Sequence, residues 1–117
     1  MPKILVADDS ETIRTLLRTA LGRAGYEVET AKDGPTAHSM ARDGGFDLII
    51  LDQLMPGLLG LDVIEQLRDD GVEVPVLMLT GVDDGTTAAE SLDRGAVDYI
   101  RKPFEMNELL ARIKTRL

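Results

Sequence analysis

Five strand-like segments alternate with five segments of helical periodicity along the 117 residues of the chain. The strand-like segments cover residues 4–7, 26–30, 48–51, 76–79 and 97–100. The first, third and fourth of them are apolar throughout, which is typical of strands covered on both faces, whereas the second alternates as an edge strand does. Strict alternation of strands and helices favours a parallel sheet with helices on both faces, and we therefore expect an α/β fold.

The segments between the strands carry helical patterns. In the first of them, apolar residues recur at positions 13, 16, 17, 20 and 21, which lie on one face of a helix. The fourth helix, predicted over residues 87–94, has a thin apolar face formed by Ala88, Ala89 and Leu92, so we expect it to be loosely held. No repeat or linker interrupts the pattern, and we expect residues 1–117 to form a single domain.

The composition argues against several classes of function. The formal net charge is −8, with 21 acidic and 13 basic residues, which disfavours direct nucleic-acid binding and docking on anionic membranes. The chain has no cysteine, which excludes a disulfide framework and a thiolate site. Because no apolar stretch approaches the length of a membrane-spanning helix, a cytoplasmic protein is expected.

Polar side chains follow four of the five predicted strands. Asp8 and Asp9 follow the first strand, Asp52 follows the third, Thr80 follows the fourth and Lys102 comes shortly after the fifth. The functional crevice of a parallel α/β sheet lies beyond the carboxyl ends of its strands. We therefore expect three acids, a hydroxyl and an ammonium group to meet at one edge of the sheet.

These residue types suit phosphoryl transfer onto a carboxylate. Three adjacent carboxylates repel one another, and Mg²⁺ with its preference for oxygen ligands removes that penalty. A carboxylate can attack a phosphoryl group to form an acyl phosphate, while a cation and a lysine neutralise the phosphoryl oxygens. Taken singly, each residue has an ordinary structural explanation as a helix cap, a turn residue or a surface lysine. The functional interpretation depends on their joint position.

The order of these residues resembles the receiver domain of two-component response regulators, the CheY-like superfamily. The similarity covers essentially the whole chain. Its most specific parts are LVADDS at residues 5–10, DLIILDQLMPG at 47–57, VLMLTG at 76–81 and DYIRKPF at 98–104. The resemblance implies a flavodoxin-like, doubly wound parallel sheet of five strands in the order 2-1-3-4-5.

The resemblance also implies a role for each acidic residue. Asp52 is the expected phospho-acceptor in an Mg²⁺-dependent reaction, with Mn²⁺ as a substitute. Asp9 is expected to bind the metal directly, Asp8 largely through water, and Leu54 through its backbone carbonyl.

Three further residues take roles from the same resemblance. Lys102 is expected to contact the phosphoryl group, and the peptide bond from Lys102 to Pro103 is expected to be cis. Thr80 and Tyr99 are the expected switch pair, in which Thr80 moves toward the phosphoryl group and Tyr99 turns inward behind it.

The implied function is a phosphorylation-activated switch that catalyses only its own phosphorylation and dephosphorylation. The implied phosphodonor is a sensor histidine kinase, a phosphotransfer protein of a phosphorelay, or a small phosphodonor. The fourth helix, fifth strand and fifth helix form the expected output surface, which acts on a downstream protein or a fused output domain. A phosphorylation-dependent homodimer is a further expectation. Asp98, Glu108 and Arg112 fit the charge pattern of such dimers, but Val97 and Ala88 do not.

Two departures from the family pattern flank the acceptor. Leu59 precedes Gly60 where the family often has Asp or Asn, and Gln53 follows Asp52 where an apolar residue is more usual. Both are expected to lie beside the pocket and to influence the lifetime of the phosphoryl group.

Two other classes of function are alternatives to the switch. A phosphatase of the haloacid-dehalogenase type carries Asp-x-Asp-x-Thr after its first strand, whereas this chain has Asp8-Asp9-Ser10, and Asp52 lacks a second acid two residues later. A phosphorylation-independent interaction module is the other alternative, and the complete set of five key residues argues against it.

Overall fold

The computed structural model describes residues 1–81 and 88–117. Its elements in chain order are β1 (Lys3–Ala7), α1 (Glu11–Arg23), β2 (Glu27–Ala31), α2 (Gly34–Asp43), β3 (Leu48–Leu51), α3 (Gly60–Asp69), β4 (Val76–Thr80), α4 (Ala88–Asp93), β5 (Asp98–Arg101) and α5 (Met106–Arg116). The predicted alternation is confirmed, and the boundaries of the strands agree with the prediction to within one residue. Thr87, the predicted first residue of the fourth helix, lies outside the described residues.

The five strands form a parallel sheet in the order β2-β1-β3-β4-β5, as expected. Ala7 at the end of β1 is paired with Ala31 of β2 on one side and with Leu51 of β3 on the other. Thr80 at the end of β4 is paired with Arg101 of β5. The carboxyl ends of all five strands therefore meet at one edge of the sheet.

The core consists of two apolar layers, one on each face of the sheet. Successive side chains of a strand point to opposite faces, so Leu5 and Ile49 contribute to one layer and Ile4 and Ile50 to the other. The first layer packs against α2 and α3, and the second packs against α1 and α5. Within the described ranges, no helix has both the length and the apolar character needed to cross a membrane.

The apolar contact of α4 is smaller than the sequence pattern suggested. Ala88 and Ala89 are exposed, and 48% of the surface of Leu92 is accessible to solvent. Within Ala88–Asp93, the buried residue is Ser91. Burial of apolar surface therefore contributes little to holding this helix on the sheet.

His38 joins α2 to α3. Its side chain is half-buried, and its Nε2 atom lies 2.7 Å from a carboxylate oxygen of Asp70 at the end of α3. This contact joins two neighbouring helices and is best described as structural.

Candidate functional site

The parallel strand pairing places two carboxylates side by side. The backbone N–H of Asp52 donates a hydrogen bond of 2.9 Å to the carbonyl of Ala7, and the N–H of Asp8 donates one of 3.1 Å to the carbonyl of Ala31. The hydrogen-bonded ladder thus continues one residue beyond β1 and β3. Both side chains are buried, with 1% of Asp8 and 5% of Asp52 exposed.

Asp9 completes an acidic cluster with these two residues. One carboxylate oxygen from each of Asp8, Asp9 and Asp52 lies within 4.8 Å of the other two. Asp9 is exposed, so the cluster opens to solvent on its side. An all-oxygen donor set of this kind fits a hard divalent cation such as Mg²⁺, which retains waters and binds a few carboxylates.

Lys102 supplies the positive charge of the site. Its Nζ atom lies 2.7 Å from Asp8 Oδ2 and 3.4 Å from Asp52 Oδ2. The backbone N–H of Lys102 donates to the carbonyl of Thr80 at 2.7 Å, which fixes the residue at the end of β5. The peptide bond from Lys102 to Pro103 is cis, as the resemblance implied.

Burial and the charges of neighbouring groups shift the pKa values of Asp52 and Lys102. Burial raises the pKa of Asp52 to about 6, the neighbouring charge of Asp8 raises it further, and the ammonium group of Lys102 lowers it in part. Burial alone would lower the pKa of Lys102, but the carboxylates of Asp8 and Asp52 together hold that pKa above its usual value. At neutral pH, Lys102 is therefore charged and Asp52 is mostly ionised.

Thr80 ends β4 beside this cluster. The residue is fully buried, and its hydroxyl oxygen has no hydrogen-bond partner among the described residues. A buried hydroxyl without a partner is unfavourable for the folded state. The hydroxyl of Ser91 in α4 shares this property, but Thr80 alone of the two stands at the carboxyl edge of the sheet.

Tyr99, the other expected switch residue, lies on β5 opposite Met78 of β4. It is half-buried and packs against the apolar layer beneath α2 and α3. The guanidinium of Arg101 donates to its hydroxyl at 3.5 Å. Its aromatic ring is thus only partly covered in this structure.

An apolar groove of about 770 Å³ leads to the acidic cluster. The side chain of Leu54, which is 49% exposed, borders it next to Asp52 and Lys102. The other apolar residues along the groove are Ile13, Leu16, Pro103, Phe104 and Met106. Asp9 and Asp52 therefore line a groove that lies on the side of α1 and the loop before α5.

Two residues that orient Asp8 were not singled out from the sequence. The backbone N–H of Ser10 donates to Asp8 Oδ1 at 2.9 Å, and the hydroxyl of Ser10 caps α1 by accepting from the N–H of Ile13. The guanidinium of Arg14 donates to the carbonyl of Asp8 at 2.8 Å. A serine directly before the helical pattern is a recognisable N-cap signal, whereas the Arg14 contact depends on how the loop turns.

Gln53 follows Asp52 directly and reaches the start of α3. Its side chain is buried, and its amide oxygen accepts a hydrogen bond of 2.8 Å from the N–H of Leu61 in the first turn of α3. Leu59 is 42% exposed and forms the N-cap position of α3 without a side-chain hydrogen bond. The two departures from the family pattern therefore meet at the start of one helix.

Comparison with protein families supports the same interpretation as this geometry. Residues 4–114 match the family model described as the response regulator receiver domain. The chain belongs to this family. The resemblance inferred from the four motifs is thereby confirmed, and so is the receiver-domain function at that level.

Curated relatives include response regulators named MprA. The one from Mycobacterium sp. (strain KMS) is 44% identical over 115 residues, which cover 98% of this chain and 50% of the relative. The one from Mycobacterium avium (strain 104) has the same identity and coverage. The chain thus spans about half the length of these relatives.

Solved structures with the same fold include two receiver-type proteins. The Francisella response regulator 1452 receiver domain has a TM-score of 0.93 and 33% identity, and the match covers 99% of this chain and 96% of that one. The Vibrio cholerae chemotaxis protein CheY4 has a TM-score of 0.90 and 37% identity, and the match covers 100% and 99% of the two chains. These matches confirm the flavodoxin-like, CheY-type arrangement.

The raised pKa of Asp52 predicts a gain of stability when its charge is removed. When the pKa of a carboxyl group is higher in the folded state than in the unfolded state, the free energy of unfolding falls as the pH rises from the unfolded-state pKa through the folded-state pKa. We expect Asp52→Asn to raise the free energy of unfolding of the metal-free protein on the order of 2 kcal/mol at pH 8, and by little below pH 4. Urea unfolding across this pH range, monitored by circular dichroism, measures the difference.

The exposed Glu73→Gln exchange is the control, because it also removes one negative charge but lies in the loop between α3 and β4. If Asp52→Asn raises the free energy of unfolding at pH 8 by no more than this control does, burial and repulsion do not destabilise the charged form of Asp52 as inferred.

Proposed function

We propose that this chain is a phosphorylation-activated switch in which Asp52 accepts a phosphoryl group from a histidine kinase or a phosphotransfer protein. The observation that carries the proposal is the position of Lys102 Nζ, 2.7 Å from Asp8 and 3.4 Å from Asp52, beside a carboxylate cluster suited to a divalent cation. Acceptor, charge compensation and cation ligands thus occur together. The proposal takes residues 1–117 as a single receiver domain in the cytoplasm.

The proposed reaction begins with ionised Asp52. With its pKa raised to about 6, the carboxylate is mostly deprotonated at neutral pH and more nucleophilic than an ordinary aspartate. One of its oxygens forms the new O–P bond, while the P–N bond to the donor histidine breaks and the imidazole nitrogen keeps the electron pair. The domain promotes this transfer and the later hydrolysis of its own acyl phosphate, and it has no separate substrate.

The carboxylates of Asp8, Asp9 and Asp52 and the backbone carbonyl of Leu54 are the proposed protein ligands of Mg²⁺, with Mn²⁺ as a substitute. When bound, the metal supplies positive charge that offsets the charge of the acidic cluster and of the phosphoryl oxygens. Lys102 is proposed to exchange its contact with Asp52 for a phosphoryl oxygen. Its ammonium group needs to move only a short distance, since it already lies against the acceptor.

Thr80 and Tyr99 are the proposed switch pair. The buried hydroxyl of Thr80 gains an acceptor when a phosphoryl oxygen reaches the carboxyl end of β4, so phosphorylation favours the conformation in which this bond forms. Tyr99, half-buried at present, is proposed to turn inward in that conformation. Because α4 buries little apolar surface against the sheet, a conformational change of the surface formed by α4, β5 and α5 would cost little free energy.

This surface is the proposed output site, which acts on a downstream protein or on a fused output domain. Arg112 forms ion pairs with Asp98 at 2.9 Å and with Glu108 at 3.3 Å within the same chain. A phosphorylation-dependent dimer that used these three charges would have to exchange the pairs between subunits. A protein partner for the output surface is therefore the simpler proposal.

Phosphorylation of Asp52 is tested by incubating the protein with acetyl phosphate and Mg²⁺ and measuring the intact mass after a rapid acid quench. We expect an adduct of one phosphoryl group, which is absent in Asp52→Asn and in the presence of a chelator. An unmodified wild-type protein at all quench times would favour a phosphorylation-independent interaction module. Rapid phosphate release from many phosphoesters would favour a phosphatase.

Lys102→Met separates the role of the lysine from that of the metal. Loss of the ammonium group should slow phosphorylation by about 100-fold, because the phosphoryl oxygens lose a charged partner. Mg²⁺ should bind more tightly, because a competing cation 2.7 Å from Asp8 is removed. Calorimetric titration and the initial rate of adduct formation measure the two effects. Lys114→Met, at an exposed position, is the control. If Lys102→Met binds Mg²⁺ more weakly than wild type while Lys114→Met does not, Lys102 does not compete with the metal as proposed.

Thr80→Val tests the switch without removing the acceptor. We expect phosphorylation to persist, and we expect the free energy of unfolding to remain the same or rise by up to about 1 kcal/mol, since a buried hydroxyl without a partner is replaced by a methyl group. In wild type, phosphorylation should change the hydrogen-exchange protection of Ala88–Asp93. That change should be lost in Thr80→Val, and an unaltered response in the variant would exclude Thr80 as the switch.

A further inference from the structure

Gln53 joins the loop after Asp52 to the start of α3 at two points. The buried side chain of Gln53 accepts from the backbone N–H of Leu61 at 2.8 Å through its amide oxygen. The backbone carbonyl of Gln53 accepts from the N–H of Gly60 at 2.9 Å. Gln53 therefore satisfies two of the backbone N–H groups that the start of a helix leaves without partners inside the helix.

In most helices, the side chain at the N-cap position accepts a hydrogen bond from a backbone N–H of the first turn. In this chain, Ser10 caps α1 by accepting from Ile13, and Asp33 caps α2 by accepting from Thr36. Leu59 occupies the N-cap position of α3 with extended backbone angles, but its side chain has no hydrogen-bonding atom. An Asp, Asn or Ser at that position would accept from the backbone N–H of the second or third helical residue, and here Gln53 supplies the acceptor for the second.

Because the cap is supplied by Gln53, the start of α3 is connected to the proposed acceptor, Asp52. Gln53 is bonded to Asp52 on one side and to Leu54 on the other. Gly60 packs so closely that a Cβ atom there would overlap the carbonyl oxygen of Asp52. The first turn of α3 thus contacts the peptide that carries the acceptor, and the hydrogen bonds of Gln53 maintain that contact.

We propose that Gln53 is a positioning residue, which caps α3 in place of Leu59 and thereby fixes the backbone of Asp52 and Leu54. The capping role stands on the hydrogen bonds alone. The positioning role rests on the proposed function, in which Asp52 accepts the phosphoryl group and Leu54 offers its carbonyl to Mg²⁺. Neither role requires the side chain of Gln53 to touch the reacting groups.

The proposal makes residues 53 and 59 interdependent. Gln53→Met keeps the length and burial of the side chain but leaves the N–H of Leu61 without its acceptor. Leu59→Asn introduces a neutral cap at the helix start without adding charge beside the acidic cluster, and the exposure of Leu59 means that little apolar burial is lost. The double variant therefore restores a cap by another route.

The test is a cycle of wild type, Gln53→Met, Leu59→Asn and the double variant, with three measurements on each protein. The first is the hydrogen-exchange protection of the Leu61 amide in the metal-free protein. The second is Mg²⁺ affinity by calorimetric titration, and the third is the initial rate of phosphorylation by acetyl phosphate at saturating Mg²⁺.

For Gln53→Met, we expect protection of the Leu61 amide to fall by about tenfold and Mg²⁺ affinity and the phosphorylation rate to fall by about fivefold each, the scale of one lost cap. The double variant should return to within about twofold of wild type in Mg²⁺ affinity and phosphorylation rate, with amide protection restored at Leu61 or Asp62, the second and third residues of the helix. Leu59→Asn alone should differ little from wild type, because Gln53 already supplies the cap.

Unchanged protection of Leu61 in Gln53→Met would overturn the capping role. Reduced protection with unchanged Mg²⁺ affinity and rate would overturn the positioning role. If Gln53→Met does not fold, recovery of folding by Leu59→Asn supports the proposal, and a double variant that remains unfolded overturns it. Failure of wild type to bind Mg²⁺ or accept a phosphoryl group would instead refute the proposed function, and Leu61 exchange would still test the capping role.

Discussion

Repulsion between two buried carboxylates is the constraint on which this site depends. The parallel pairing of β1 with β3 places Asp8 and Asp52 at adjacent strand ends, and both are almost completely excluded from solvent. Burial first, and then the charge of Asp8, raise the pKa of Asp52 despite the nearby ammonium group of Lys102. The sheet that stabilises the domain thus also maintains a local excess of negative charge. A cation or a bound phosphoryl group with its counterion is the natural way to relieve it.

The same region contains other features that favour function over stability of the resting state. Thr80 buries a hydroxyl without a partner among the described residues, at a cost to the folded protein. In contrast, the backbone beneath the acceptor is firmly held, through the hydrogen bonds of Gln53 and the close packing of Gly60. The site therefore combines a rigid backbone with side chains whose interactions are incomplete, which is the arrangement expected of a preorganised acceptor.

The sequence predicted the fold class and the cluster because both follow from the alternation of strands and helices, whereas the strand order was implied by the family resemblance. Periodicity located the strands, and parallel pairing then required Asp8, Asp52 and Lys102 to meet at one edge, as they do. The role of Gln53 could not be predicted in this way, because it depends on the path of an irregular loop that brings residue 53 back to residue 61. Departures from a family pattern were visible separately in the sequence, but their shared location at one helix start became evident only in three dimensions.

The attachment of α4 indicates how a small change at the acceptor can reach the surface. Its apolar burial is slight, and Arg94, just after the helix, forms ion pairs with Asp62 at 3.4 Å and Glu65 at 2.9 Å on α3. Such partly exposed pairs contribute about 0–1 kcal/mol each. A hydrogen bond from Thr80 to a charged phosphoryl oxygen contributes about 1.5–3 kcal/mol. One such bond would be comparable in free energy to these two ion pairs, which supports the proposal that phosphorylation at Asp52 shifts this helix.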